Sequence, residues 1–523
     1  MGYRMTFLPM KRAALFFSLF GSLAGGFSIS ALLRIYDLIL KEQVKNRRRS
    51  FYRFILLALV LSCILTSIFM PLVLFVKPFE ASPIPPRDEN LEREIRIGER
   101  IGVDGGYGLN LVSNVWQSGG GSVESMYVLN EFAYIFWYYI IHSQENACLP
   151  YFSRNYNVRY IKGVMFDGLR KTDIQGLYEV SGFNSSIVEV LSKDSWLVLH
   201  IGPVDRYIQL FISVALSGGS EPILVNGGRY LEDFSDEELS RFDLIYISDM
   251  GLRDEDRYFT LITSYLRSGG TVLFDISSIP PMFSEKIKDM FPVKRISEEK
   301  SSLQLVPSPF LEKVGVFKIK GTNETVVAHA EELNVNAEAL VWDEYGKPVI
   351  VRLKKFNGWI FWSGINIPYL VMLNNDCDEA RLLVNLLHLF TFQTERTAST
   401  ESISHGNLTV LSTDEYEIAL SSLSPDDAVW FKMTYHPGWE AIIKDVGRRV
   451  RIFLAGPNTM LVFPEREAPL KIIFRYGKTV DVIVGEVIST SFYIILIMYF
   501  ILRGILKLKS PSKKMLIRIV DHL

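Results

Sequence analysis

Hydrophobic positions along the chain fall into three patterns, and each predicts a different kind of element. Residues 13–36, 54–76 and 487–506 are apolar without any period, and the second stretch carries no charge. A bilayer core of ~30 Å takes about 20 such residues as a helix, so these stretches predict three transmembrane helices. Between Trp196 and Ser277 short apolar runs, WLVLHIG, PILVNGG, LIYISDM and TVLFDIS, alternate with stretches of helical period such as DRYIQLFISVALSGG. Strand-like runs bounded by glycine and acidic turns, in strand–helix order, predict an open α/β sheet. VIVRLKKF, WIFWSG and the helix DEARLLVNLLHLF extend it. From Leu408 onward β-like runs (LTVLS, AVWFKMTYH, EAIIKD, RRVRIFLAG, TMLVFPE, LKIIFRYG) recur every ten residues or so, the spacing of a small all-β unit.

These patterns predict a multi-domain α/β plus all-β chain with about three transmembrane helices, an open α/β sheet being followed by a small β-sandwich. The expected order is an N-terminal membrane region (1–77), a stalk and mixed α/β segment (78–190), the α/β domain (191–395), the sandwich (396–486), and a last span with a basic tail (487–523). Lys41, Lys45, Arg47, Arg48, Arg49 and Arg53 lie between the first two stretches, and Lys507, Lys509, Lys513, Lys514 and Arg518 follow the third. Positive flanks stay in the cytoplasm, which puts the large middle region outside the cell membrane. Membrane lipid is then a partner. Gly21, Gly25 and Gly26 of the first stretch offer a small-residue surface for another multi-span membrane protein.

Composition narrows the function classes. A net charge of -2 and a pI near 6.4 give no basic field, so no nucleic-acid partner is expected. Cys63, Cys148 and Cys377 form no C-x-x-C pair, and no H-e-x-x-H-type spacing is present, so neither a metal site nor a cofactor is expected. SGGGS near residue 120 lacks the lysine and hydroxyl of a phosphate-binding loop. Asp88 and Glu89 read as solvated acids of a charged stalk. Asn184, Asn323 and Asn407 each begin an N-x-[ST] sequon, and all three fall in the region expected outside.

Tyr435-His436-Pro437-Gly438-Trp439-Glu440-Ala441, the strand Met460 to Pro464, and Leu470 to Tyr476 directly before the last apolar stretch resemble the carboxyl end of YfhO-type membrane proteins. Cys148-Leu149-Pro150 through Tyr160-Ile161 is similar to the start of their outer domain. The order of parts also resembles archaeal membrane proteins labelled as related to 6-pyruvoyl-tetrahydropterin synthase, a label that implies no pterin chemistry. The resemblance implies a glycosyltransferase-like fold that handles glycans or lipid-linked sugars, with Tyr435, Pro437, Gly438 and Trp439 as its motif. The many-helix part of such proteins is mostly missing from this chain.

The α/β unit resembles the glutamine-amidotransferase-like fold, with Asp249 and Asp275 each following a strand. Enzymes of that fold need a cysteine on a strained turn, and no G-x-C-x-G occurs. His200 ends a strand and can meet Asp249 where open α/β sheets bind ligands, or can be a core histidine. Trp359, Trp362 and Asn366 can form a sugar-stacking surface or pack in the core. The sequence therefore predicts a membrane-anchored, non-catalytic accessory or scaffold related to glycan-handling proteins. A reduced glycosyltransferase and a docking subunit of a larger membrane complex are the alternatives.

Overall fold

The computed structural model describes residues 147–392 and 404–477, with breaks at 164, 220–221, 250, 277–287, 301–302, 308–316, 320–325 and 413, together with strands Arg100–Val103 and Trp116–Ser118 and the single positions 139, 483 and 491. The strands that organise it are β1 (Val188–Leu191), β2 (Leu197–Ile201), β3 (Ile223–Asn226), β4 (Leu244–Ile247), β5 (Thr271–Phe274), β6 (Gly358–Ser363), β7 (Ala428–Thr434), β8 (Ile452–Ala455) and β9 (Thr459–Val462). The helices that cover them are α1 (Leu149–Tyr156), α2 (Val204–Leu216), α3 (Glu255–Arg267), α4 (Ile367–Asn374) and α5 (Cys377–Phe392).

Strands β2 to β6 pair in parallel in the spatial order β6-β5-β4-β2-β3. Each has apolar residues at successive positions, and successive side chains of a strand point to opposite faces. Val198, Leu224, Leu244, Leu273 and Phe361 therefore meet Leu210, Phe211, Val214 and Leu387 of α2 and α5 on one face. Leu199, Val225, Ile245, Val272 and Ile360 meet Tyr258, Leu261 and Ile262 of α3 on the other. Burial on both faces explains why these strands read as continuous apolar runs.

The sandwich is built on the same sheet. β8 pairs antiparallel with the β3 edge through Leu454↔Asn226 and Ala455↔Val225, and β9, β7 and β1 follow outward. One face of this extension, Val188, Val190, Val429, Phe431, Met460 and Val462, packs on Ile418, Leu420, Ala441, Ile443, Ile472 and Phe474 of a separate five-stranded antiparallel sheet. Its other face, Trp430, Phe453, Ala455 and Leu461, belongs to the α3-side core of the α/β unit. The junction is also tied by Tyr207, whose hydroxyl donates to the Gly456 carbonyl at 2.6 Å.

A buried ion pair crosses β1 and β7. The Lys432 ammonium donates to Glu189 at 2.5 Å, both side chains having 0% exposure, and Arg154 of α1 reaches the other Glu189 oxygen at 3.3 Å. Burial alone would raise the pKa of the Glu189 carboxyl, but Lys432 and Arg154 outweigh it and hold the group below its ordinary value of 4.5.

The expected fold class needs correction on two points. The described chain is mostly β, and a single fourteen-stranded sheet runs from the α/β unit through the sandwich, where two successive units were expected. Among the described residues no helix is long and apolar enough to cross a membrane. The longest, α5, has 16 residues, about 24 Å at 1.5 Å per residue, against a hydrocarbon core of ~30 Å. The stretches 13–36, 54–76 and 487–506, like Asp88 and Glu89, lie outside the described residues.

Candidate functional site

In chain order the parallel strands run β2, β3, β4, β5, β6, so the chain crosses from β2 to one side and then returns past it to β4. The crossovers on the two sides of this switch point diverge, and the crevice outside the carboxyl ends of β2 and β4 is where such sheets hold ligands. His200 of β2 and Tyr246 of β4 are register partners there, on the face covered by α2.

His200 is completely buried. Its ring stacks on Tyr246 at 5.9 Å and tilts against Tyr207 at 5.7 Å, and its Nε2 shares a hydrogen bond of 2.7 Å with the Ser248 hydroxyl. Burial first, and the nearby Arg206 guanidinium second, push its pKa from 6.5 down to about 3, so the imidazole is neutral at physiological pH. Its Nδ1 is buried and has no partner among the described residues.

Gly202 lets the two strand ends close over this pair. The Ser248 amide donates to Ile201 at 2.9 Å, extending the ladder past β4, and a Cβ at Gly202 would lie 2.1 Å from the Ser248 carbonyl oxygen. Gly202→Ala should therefore cost about 1–3 kcal/mol, because backbone and not a pliable side chain is in the way. A urea midpoint unchanged from that of the parent chain would contradict this account.

Asp249 follows at φ 43, a left-handed residue on the turn out of β4, and it is exposed. A nucleophile elbow uses a strained strand-to-helix turn of this sort, but the side chain standing in it is a carboxylate. Asp275, one strand further along, is buried, and its amide donates to Ile247 at 3.1 Å. Asn366 caps α4 through the Tyr369 amide at 3.1 Å and contacts Gln209 of α2 at 3.3 Å. Gln209 also accepts from Arg206 at 3.2 Å. His200, Asp249, Asp275 and Asn366 thus lie toward the carboxyl ends of the strands, and His200 bonds Ser248, the neighbour of Asp249.

The two tryptophans do not join them. Trp359 lies at the opposite, amino-terminal end of β6, paired with Thr271, and its ring is covered by Arg352 at 4.8 Å and Lys354 at 5.6 Å. Trp362 has 0% exposure and sits in the core on the α3 face. An odd separation of three residues along a strand puts the two rings on opposite faces.

The Tyr435–Trp439 motif is a tight joint in the sandwich. The Trp439 amide donates to the His436 carbonyl at 2.8 Å, and the Gly477 amide to the Gly438 carbonyl at 2.8 Å. Tyr476 and His436 share a hydrogen bond of 3.0 Å, and a Cβ at Gly438 would lie 2.2 Å from the Gly477 oxygen. Tyr435 is half-buried and Pro437 exposed. Of the sequon asparagines, Asn184 and Asn407 are exposed and Asn323 lies outside the described residues. Two cavities of about 520 Å³ lie elsewhere, one between α1 and the 181–185 loop and one beside Lys193 and Arg241.

Sequence reasoning passed over Ser248, Tyr246 and Arg206. Ser248 adjoins an aspartate that drew the attention, while Tyr246 and Arg206 carry no motif and become site residues only through strand register and helix placement.

No family model and no curated protein matches the chain. The YfhO-type character expected of the chain finds no matching family, and the transmembrane helices expected with it are not seen among the described residues. A catalytic mutant of the β-galactosidase Gan42B from G. stearothermophilus is 10% identical at a TM-score of 0.28, covering 54% of this chain and 40% of that chain. A cytoplasmic protein from Salmonella typhimurium is 13% identical at a TM-score of 0.29, covering 37% of this chain and 98% of its own. The chain spans about two fifths of the first β-galactosidase, whose covered share is 40%. Likenesses of this size place neither fold nor function.

Proposed function

We propose that this protein is a non-catalytic binding scaffold of glycan-handling machinery, working outside the cytoplasm, with its ligand held at the carboxyl ends of β2 and β4. The observation that carries this reading is what stands at the switch point. The left-handed turn after β4 presents Asp249, a hydrogen-bond acceptor suited to sugar hydroxyls. The only hydroxyl beside it in sequence, that of Ser248, is buried and bonded to His200. Burial keeps that hydroxyl away from a ligand at the lip, and an imidazole with a pKa of about 3 is too weak a base to activate it. Exposure of Asn184 and Asn407, each heading a sequon, supports a place outside the cytoplasm.

The test is titration calorimetry of the purified full chain against a panel of monosaccharides and short oligosaccharides, followed by incubation with a lipid-linked sugar donor. Saturable sugar binding, weakened about tenfold by Asp249→Ala through loss of a charge-assisted hydrogen bond, with no sugar transferred, is the expected result. Transfer of sugar by the parent chain, lost in Asp249→Ala, would replace this reading with a glycosyltransferase.

A further inference from the structure

Three polar groups stand together at the switch point. Arg206, in the first turn of α2, is partly buried, and its one hydrogen bond among the described residues is to the neutral Gln209 side chain. A partly buried guanidinium ordinarily has a carboxylate against it. None stands within ion-pair distance of Arg206 among the described residues. Tyr246 is 3% exposed, its ring lies against that of His200 at 5.9 Å, and burial holds its phenol protonated as a donor. The third group is His200 Nδ1, buried without a partner among the described residues, on the ring that stacks on Tyr246. The Arg206 charge is felt at both His200 and Tyr246, so the three belong to one neighbourhood.

We infer that the switch point takes an acidic sugar, one bearing a carboxylate or phosphate, with the anionic group held by Arg206 and the Tyr246 hydroxyl and a sugar hydroxyl held by Asp249. A planar guanidinium and a phenol are donors that match an oxyanion. The carboxylates of Asp249 at the lip and Asp275 near Tyr246 repel a free anion, so a ligand carrying hydroxyls as well as charge fits better than a bare one. This inference rests on the binding reading above and adds the charge of the ligand.

The experiment is calorimetry of the full chain with glucuronate, glucose 6-phosphate, glucose and inorganic phosphate. Expected is binding of glucuronate or glucose 6-phosphate at least tenfold tighter than glucose or inorganic phosphate, with Arg206→Gln removing that preference and Arg206→Lys retaining part of it. Whichever of the two acidic sugars binds more tightly identifies carboxylate or phosphate as the recognised group. Thermal melts of both variants confirm that they remain folded. Glucose binding as tightly as the acidic sugars, unaffected by Arg206→Gln but weakened by Asp249→Ala, would overturn the acidic ligand and leave the binding scaffold standing. Inorganic phosphate binding as tightly as the sugars would overturn the sugar part. No heat from any of the four would overturn the acidic ligand, while the binding scaffold falls only if the panel of monosaccharides and oligosaccharides gives no binding either.

Discussion

Glu189→Leu should lower the stability of the protein by about 3–5 kcal/mol at neutral pH, the largest effect expected from any single change in the sandwich. The substitution removes the carboxylate that balances Lys432, a side chain with 0% exposure at the centre of β7. Water does not reach the ammonium to take over that role, and it cannot swing out without breaking the β1–β7 pairing, in which the Lys432 amide donates to Ile187 at 2.9 Å. The second variant separates a lost contact from an unbalanced charge. Glu189→Leu combined with Lys432→Met puts two apolar side chains of similar bulk in the same space, and it should recover most of the loss, because desolvation of both charges is then avoided. Urea denaturation of the parent, the two single variants and the pair completes the cycle. A double variant no more stable than Glu189→Leu would show that the pair holds the strands by geometry and not by charge balance.

This ion pair also shows where the sequence stops being readable. SIVEVLS carries a glutamate in its middle, and the lysine that explains it lies 243 positions away. The joint between α/β sheet and sandwich is hidden for the same reason. It consists of backbone pairing between β3 and β8, and backbone hydrogen bonds leave no mark on side-chain pattern, so a polar stretch after residue 395 read as the end of one unit. What was legible is local. Within WLVLHIG, LIYISDM and TVLFDIS the successive residues LVL, LIYI and VLF are apolar because both faces of these strands are covered, and the runs form β2, β4 and β5.

The site was legible only as a row of strand ends. His200 and Asp249 could be placed at carboxyl ends from the order of runs and turns, but the order in which strands lie side by side decides which ends adjoin. Only the placement of β2 between β3 and β4 makes His200 and Tyr246 neighbours. For Trp359 and Trp362 the sequence left a sugar-stacking surface and core packing open, and strand period separates the two rings, since residues three apart face opposite ways and Trp362 is the one in the α3-side core.

Acidification should expose the burial of His200. Its folded-state pKa of about 3 lies below the ordinary 6.5, so between those values the unfolded chain binds a proton on this imidazole and the folded chain does not. Stability contributed by the neutral ring is therefore fully present above pH 6.5 and falls as the pH drops, at about 1.4 kcal/mol per unit once the unfolded imidazole is charged. Between pH 6.5 and 5 the expected loss is ~2 kcal/mol, of order 4–5 kcal/mol if followed to pH 3. The groups around the ring favour this sign: Arg206 opposes a second positive charge, Ser248, Tyr207 and Tyr246 are neutral, and Asp275 acts on Tyr246 and is not among the causes of the His200 shift. Glu189 loses its own contribution only as the pH falls below 4.5, so the upper window isolates the histidine. His200→Asn removes the titrating group, and its stability relative to the parent should improve by ~2 kcal/mol on going from pH 6.5 to 5. Parallel pH profiles of the two chains would mean that the imidazole takes up its proton in the folded protein, with solvent reaching Nδ1, and the crevice would then be open down to His200.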